Sequence, residues 1–356
     1  MLRLPRWSVR RWLVLAAALA VVVAGLVVVW VARDGERTRL ERALEVVPES
    51  TQRFSWTDWT AVRDTVGTNV DAGSSAEDVR SFLLTAYDRD LTATTALDDS
   101  GPAMQTTLGF SPASLDWELF AQGSDGALVA MGLPEGYDVA ALRDRLRDLG
   151  YSEPDAADGV WDAGTDLVSR LGDGSLTPEL AALQIDDDDH VLYAADQASY
   201  LRGRADAARG ERDDATATAA GALGDPPSAL LLGGDQACTE LAMSEADDAD
   251  KVRAAELVKE AGGVHPLTGF AIATEPGGGV RVAMTLEKAD QARADADSRS
   301  QLAAGEAPGQ GGTFPDRFRL GKVSADGTLL TMALEPRDGQ SVLSDLADGP
   351  LLFATC

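Results

Sequence analysis

Two imidazoles, His190 and His265, are the only ones the chain offers for acid–base or metal chemistry. Neither lies in a His-Glu-x-x-His arrangement, which excludes that class of zinc protease. Gly-x-Ser-x-Gly and the Walker A loop are also absent. His265 could act as the base of a serine hydrolase with a distant Asp, but no residue is marked as its nucleophile. It precedes Pro266, which suits a surface turn. Asp186-Asp187-Asp188-Asp189, directly before His190, is the densest acidic cluster. Calcium takes carboxylate oxygens, but the EF-hand spacing is missing and four consecutive Asp cannot converge on one ion. A solvated turn explains them. Asp247-Asp248-Ala249-Asp250 sits at a helix start, where negative charge suits the dipole.

With 58 acidic residues, pairs suited to glycoside hydrolysis are certain to occur and say nothing by themselves. Trp56, Trp59, Trp117 and Trp161 could stack on sugar rings, and they could equally fill a core. Gly277-Gly278-Gly279 lies between strands and not before a helix, so it reads as a hairpin turn rather than a phosphate cradle. The residues imply no cofactor and no metal.

Cys238 and Cys356 are the only cysteines, which excludes a disulfide-dense scaffold and a Cys-based zinc fold. Their wide separation argues against a Cys-x-x-Cys redox pair. A structural disulfide between them is expected, worth up to about 4–5 kcal/mol in the chain-entropy model. Such a bond persists outside the cytoplasm.

The first 33 residues point to that compartment. Trp12 to Ala32 is a run of 21 residues without a charge. As a helix it would be about 31 Å long, enough for a hydrocarbon core of roughly 30 Å. Arg3, Arg6, Arg10 and Arg11 precede it, so the positive-inside rule places the N-terminus in the cytoplasm and residues 34–356 outside. Trp7, Trp12 and Trp30 fall where the two membrane interfaces would be. The run is too long for an ordinary signal peptide and has no Ala-x-Ala at its outer end, which favours an uncleaved anchor. No Cys stands near it to carry a lipid. Beyond residue 33 the chain carries 26 basic and 58 acidic residues. That balance excludes a duplex DNA binder, and no nucleic-acid partner is expected. Arg far outnumbers Lys and Ala is abundant, as in a GC-rich bacterial genome.

Helices and strands alternate along the exterior chain. Residues 34–47 read as a charged juxtamembrane helix or stalk, stopped by Pro48. A strand is expected over 53–59. Ser74 with Glu77 forms a capping box for a helix bearing Val79, Phe82, Leu83, Ala86 and Tyr87 on one side. Strands over 117–122 and 127–133 flank a turn. Asp138 caps a helix with Val139, Leu142, Leu146 and Leu149 on one face, ended by Gly150. Strands follow at 159–162 and, after a Gly-rich insertion, at 190–195. A helix then runs from Asp196 to about Arg209, with a second helical patch at 216–223 and a buried-type strand at 229–232. The last third predicts helices over 249–261 and 289–304, hairpins over 269–287 and 318–334, and a short helix over 340–346. No short-period repeat is present.

Several of these features are similar to a family of membrane-anchored bacterial envelope proteins catalogued only as a domain of unknown function. They are Val46-Val47-Pro48-Glu49-Ser50-Thr51, the strand at Phe54, Leu115-Asp116-Trp117, the helix at Asp138–Gly150, Gly159-Val160-Trp161 and the stretch from His190 to Asp196. The resemblance covers about residues 46–235. It implies strand–helix–strand units on an anchored ectodomain and brings no activity or site residue.

The expected fold is therefore α+β: an N-terminal transmembrane helix, then an ectodomain of mostly antiparallel sheets with helices packed on one face, open to division into two related halves. The expected divisions are a cytoplasmic tail (1–11), a transmembrane helix (12–32), a stalk (33–50) and ectodomain halves at 51–235 and 236–356. The expected function is a single-pass, non-catalytic binding or accessory module of the cell envelope. The lipid bilayer would be met through residues 12–32, and the partner would be an envelope protein or a wall polymer. A cell-wall-processing hydrolase with an unrecognised carboxylate pair, and a small-ligand carrier, are the alternatives.

Overall fold

The computed structural model describes residues 37–204 and 213–356. The apolar run 12–32, its flanking Arg3, Arg6, Arg10 and Arg11, and Trp7, Trp12 and Trp30 lie outside the described residues. Among the described residues no helix is long and apolar enough to cross a membrane.

Eleven strands are formed: β1 (Thr51–Thr57), β2 (Trp117–Gly123), β3 (Gly126–Gly132), β4 (Val160–Asp162), β5 (Ala182–Asp186), β6 (Val191–Ala195), β7 (Ser228–Gly233), β8 (Leu267–Thr274), β9 (Val280–Leu286), β10 (Phe318–Asp326) and β11 (Leu329–Pro336). They make one sheet in the order β10-β11-β9-β8-β7-β1-β2-β3-β6-β5-β4, and every pairing is antiparallel. Outward from the central β1–β7 pair, β1-β2-β3-β6-β5 and β7-β8-β9-β11-β10 have matching connectivity. In each direction two strands follow in chain order and a hairpin is then added in reverse.

This corrects the expected architecture. Several sheets with helices on one face are replaced by one continuous sheet with helices on both, and none of the described helices could be the transmembrane element. The reason lies in the strand sequences, which are apolar at consecutive positions rather than alternate ones. In β7, Leu230 and Leu232 face one layer while Ala229 and Leu231 face the other, and all four are buried. Strands covered on both faces read as continuous apolar runs.

One face carries a core in which the helices Arg39–Glu45, Ala198–Arg204 and Asp214–Gly221 cover the middle strands. The opposite face carries two helical groups side by side. Residues 59–181 pack over β3, β5 and β6, and residues 237–354 pack over β7 to β11. The stretch read as a stalk is thus part of the fold from residue 39. Leu40, Ala43, Leu44 and Val47 are buried against the sheet.

Local chemistry sets the helix boundaries. The strand expected to reach residue 59 stops at Thr57 because the Asp58 carboxylate accepts the Ala61 N–H at 2.9 Å and starts a helix, Trp59–Val66. The capping box in the next helix is one residue later than expected. Ser75 and Asp78 exchange the two capping bonds, and the helix runs Ala76–Tyr87. Asp138 caps Val139–Leu149 as expected, and Gly150 ends it with φ 94°. The helix Gly101–Thr107 and strand β5 were not expected.

Both outer strands are poor templates for further pairing. β4 has three residues, and β10 bulges between Leu320 and Val323 at Gly321-Lys322, with Arg319 paired to Glu335 nearby.

A loop joins the two helical groups on their shared face. Leu91 and Leu97 pack into the first group and Ala93 against the second. The Thr94 hydroxyl reaches Trp56 O at 2.7 Å and the Ser228 hydroxyl at 2.6 Å, touching both central strands. Asp90, at φ 60°, accepts Leu343 N at 2.6 Å and Ser344 N at 3.0 Å, so it caps a helix about 250 residues away (Val342–Ala347). Asp90→Ala removes that cap and puts a Cβ-bearing, non-polar residue at positive φ. A loss of about 2–3 kcal/mol is expected in urea unfolding, whereas Asp90→Asn, which tolerates that backbone, retains most of it.

Candidate functional site

The residues singled out for chemistry resolve mostly into structure. Asp186–Asp189 form the β5–β6 turn. Asp186 accepts the Asp189 N–H at 3.2 Å, Asp187 pairs with Arg143 at 2.7 Å, and His190 completes the turn at φ 53°. Among the described residues no group of three or more His, Cys, Asp or Glu is placed to hold a metal. Trp56, Trp59 and Trp161 are buried, and Trp117 stacks on Trp56 at 5.7 Å. They are core and cannot present a row of rings to a sugar. Gly277–Gly279 turn the β8–β9 hairpin, with Gly278 at φ 84°. Asp247 caps the helix Asp248–Glu260.

Cys238 and Cys356 form a disulfide, with Cα atoms 5.4 Å apart. Beside it lies a polar cluster that sequence reading found only in part. The Arg299 side chain is wholly buried. Its Nε donates to Asp295 Oδ2 at 2.8 Å, its Nη1 to Phe353 O (2.8 Å) and Thr355 O (2.9 Å), and its Nη2 to His265 O (2.6 Å). Asp295, also buried, accepts the His265 backbone N–H at 3.0 Å and meets His265 Nδ1 at 2.6 Å. Burial lowers the Arg299 pKa from its ordinary value, and Asp295 opposes that shift.

Asp295 and His265 have the geometry of the orienting half of a hydrolase triad. Two observations argue against that role. The Asp295 charge is already matched by Arg299, which weakens its hold on an imidazolium. And of the two hydroxyls lining a neighbouring hollow of about 400 Å³, Thr355 Oγ1 accepts the Met243 N–H at 3.3 Å and Ser244 is not hydrogen-bonded to His265. The cluster holds the last turn of the described chain to the helix Ala289–Ala303. Asp295→Ala should cost about 3–5 kcal/mol in denaturant melts by leaving a buried guanidinium unpaired. His265→Ala, at a half-exposed position, should cost about 1 kcal/mol or less.

Glu118 is another buried acid that residue type and spacing do not set apart among the 58. It sits on β2 with no exposed surface. It accepts Thr95 Oγ1 at 2.6 Å, Ala96 N at 2.7 Å and Trp59 Nε1 at 3.1 Å. Burial pushes its carboxyl up to about 7, outweighing the three hydrogen bonds that pull it down. A raised pKa in a cleft suits a general acid, but a carboxyl with no exposed surface cannot reach a substrate. Its consequence is for stability. The folded carboxyl keeps its proton to higher pH than the unfolded one, so the native state binds more protons between the two pKa values. Stability from this group is full below pH 4.5 or so and falls as pH rises through about 7, by about 3 kcal/mol at most. Unfolding free energies measured from pH 4.5 to 8 should show that decline, and Glu118→Gln should flatten it.

A groove of about 670 Å³ lies between the ends of the helices Gly101–Thr107 and Val139–Leu149. Its volume is in the range of small-molecule sites. Ala72, Leu108, Pro134, Tyr137, Ala141 and Leu142 supply apolar wall. Three of its polar side chains are already engaged. Gln105 bonds Ala72 O, Ser74 O and the Ser111 hydroxyl, Asp138 caps its helix, and Arg145 donates to Thr106 O and Thr107 O. Burial pushes the Tyr137 hydroxyl up to about 12, with Asp138 adding to the shift, so it stays a neutral phenol.

The groove opens at a defined end of the sheet. Thr57 pairs with both Glu118 and Ser228, and Trp117 pairs with Gly132, so the end of β1, the starts of β2 and β7 and the end of β3 form one rim. Pro134 to Tyr137 follow β3 at that rim. Arg39 is bonded there too, with its N–H to Asp225 at 3.2 Å and its guanidinium to Asp58 at 2.8 and 2.9 Å.

No family model matches the chain, and no curated protein matches it. A solved structure, crystal form I of TP0453, is similar with a TM-score of 0.39 and 8% identity, over 85% of this chain and 96% of that one. So low a score supports no argument.

Proposed function

We propose that this protein is a non-catalytic binding module of a bacterial cell envelope, anchored in the cytoplasmic membrane by residues 12–32 with residues 34–356 outside. The observation that carries the binding reading is the groove at the Gly101–Thr107 and Val139–Leu149 helices, because it is roomy, apolar and already satisfied in most of its polar lining. Such a wall recognises apolar surface and offers no reactive group. The Cys238–Cys356 disulfide supports the compartment. The Arg299–Asp295–His265 cluster supports the absence of catalysis, since its charges and carbonyls are spent on each other.

The topology is tested by adding protease to spheroplasts that express the full chain. An epitope near residue 340 should be lost, an epitope fused before Met1 should survive, and the protein should stay with membranes through a carbonate wash. Release by carbonate, or digestion of the N-terminal epitope, would sink the reading. So would reproducible release of soluble fragments from isolated wall by the purified chain.

A further inference from the structure

We infer that the groove takes the acyl chain of a bilayer lipid from the membrane to which the protein is tethered. The inference rests on the anchored reading and names the ligand of the same site. The first support is position. Arg39 follows the end of the charge-free run at Ala32 by seven residues. Seven extended residues reach at most about 25 Å. Residue 39 is fixed at the rim by Asp58 and Asp225. From β7 through β1 and β2 to β3 is three strand spacings, about 15 Å. A membrane entered by residues 12–32 therefore lies close to the rim on which the groove opens.

The second support is chemistry. Leu108, Pro134, Tyr137, Ala141 and Leu142 form a continuous apolar wall, and Gln105 and Arg145 spend their donors on backbone carbonyls. Glu135 and Asp138 lie at the loop that forms the groove's edge, and Glu135 is exposed. The apolar wall gains about 0.8 kcal/mol for each CH₂ it removes from water. A hydrocarbon tail fits those terms, and a wall polysaccharide, rich in hydroxyls, does not.

The other candidates carry less. The exposed pair Leu84 and Tyr87 has nothing beside it that says what covers it, and the hollow at Cys356 lacks a second observation pointing to a ligand.

The test uses the full chain in phosphatidylglycerol–phosphatidylcholine vesicles that contain a phospholipid with a photoactivatable acyl chain. After irradiation, adducts are mapped by peptide mass spectrometry. Expected are adducts in 12–32 and in 101–109 and 134–145. Ala141→Trp and, from the opposite wall, Ala72→Phe should each lower the groove adducts by about tenfold, equal to roughly 1.4 kcal/mol of binding, and leave the adducts in 12–32 unchanged. Circular dichroism and an intact disulfide show that each variant is folded. Adducts in 12–32 without any in the groove overturn the inference and leave the anchor standing. Groove adducts unchanged in both folded variants overturn it as well, as non-specific labelling. Adducts in neither place overturn the anchor and the inference together.

Discussion

Strand β1 is hydrogen-bonded along both edges, to β2 on one side and to β7 on the other, and the molecule is organised around that double pairing. Its two faces do different work. Phe54 and Trp56 anchor the core beneath the three-helix layer, while Arg53, Ser55 and Thr57 face the gap between the two helical groups. An apolar β1 on that second face would have needed a helix over it. A polar one accepts a loop instead, and residues 90–97 supply it with hydroxyls for the strands and hydrophobic side chains for the groups on either hand. Glu118, buried one strand away, is held by the same loop through Thr95 and Ala96.

Much of this was legible because its signals are local. The hairpins at 117–132 and 318–336, the helix between Asp138 and Gly150, and the strand at 229–232 follow from residue periodicity and caps that act over a few positions. The layer arrangement was not legible. The run Ala229-Leu230-Leu231-Leu232 shows that both faces of a strand are buried, but not whether a second sheet or a helix covers each face. β5 was hidden because Ala182–Asp186 sits between a Gly-rich turn and the Asp run, where composition reads as loop. Asp58 shows how one polar residue decides a boundary. The sequence pattern extends through Trp59, and a single capping bond ends it two residues sooner.

The candidate site divides along the same line. The disulfide could be read from two cysteines and a compartment. The partner of His265 could not, since any of dozens of acids would have served, and only the fold brings Asp295 within 2.6 Å and adds Arg299 behind it. The groove left no mark in the sequence, because it is assembled from loop and helix-end residues far apart in the chain that are individually unremarkable: Ala72, Leu108, Tyr137 and Ala141. Apolar recognition has no characteristic residue spacing.

The blunted margins of the sheet bear on how many of these molecules can share a surface. The proposed tether would confine such molecules to a thin layer, where neighbours collide in similar orientations and an open strand edge would propagate into fibres. β4 offers too short a ladder to seed such growth. The bulge at Gly321-Lys322 twists β10 out of plane and sets a cation where a neighbour's backbone would dock. A dense population can then remain a two-dimensional fluid of separate units instead of condensing into ribbons.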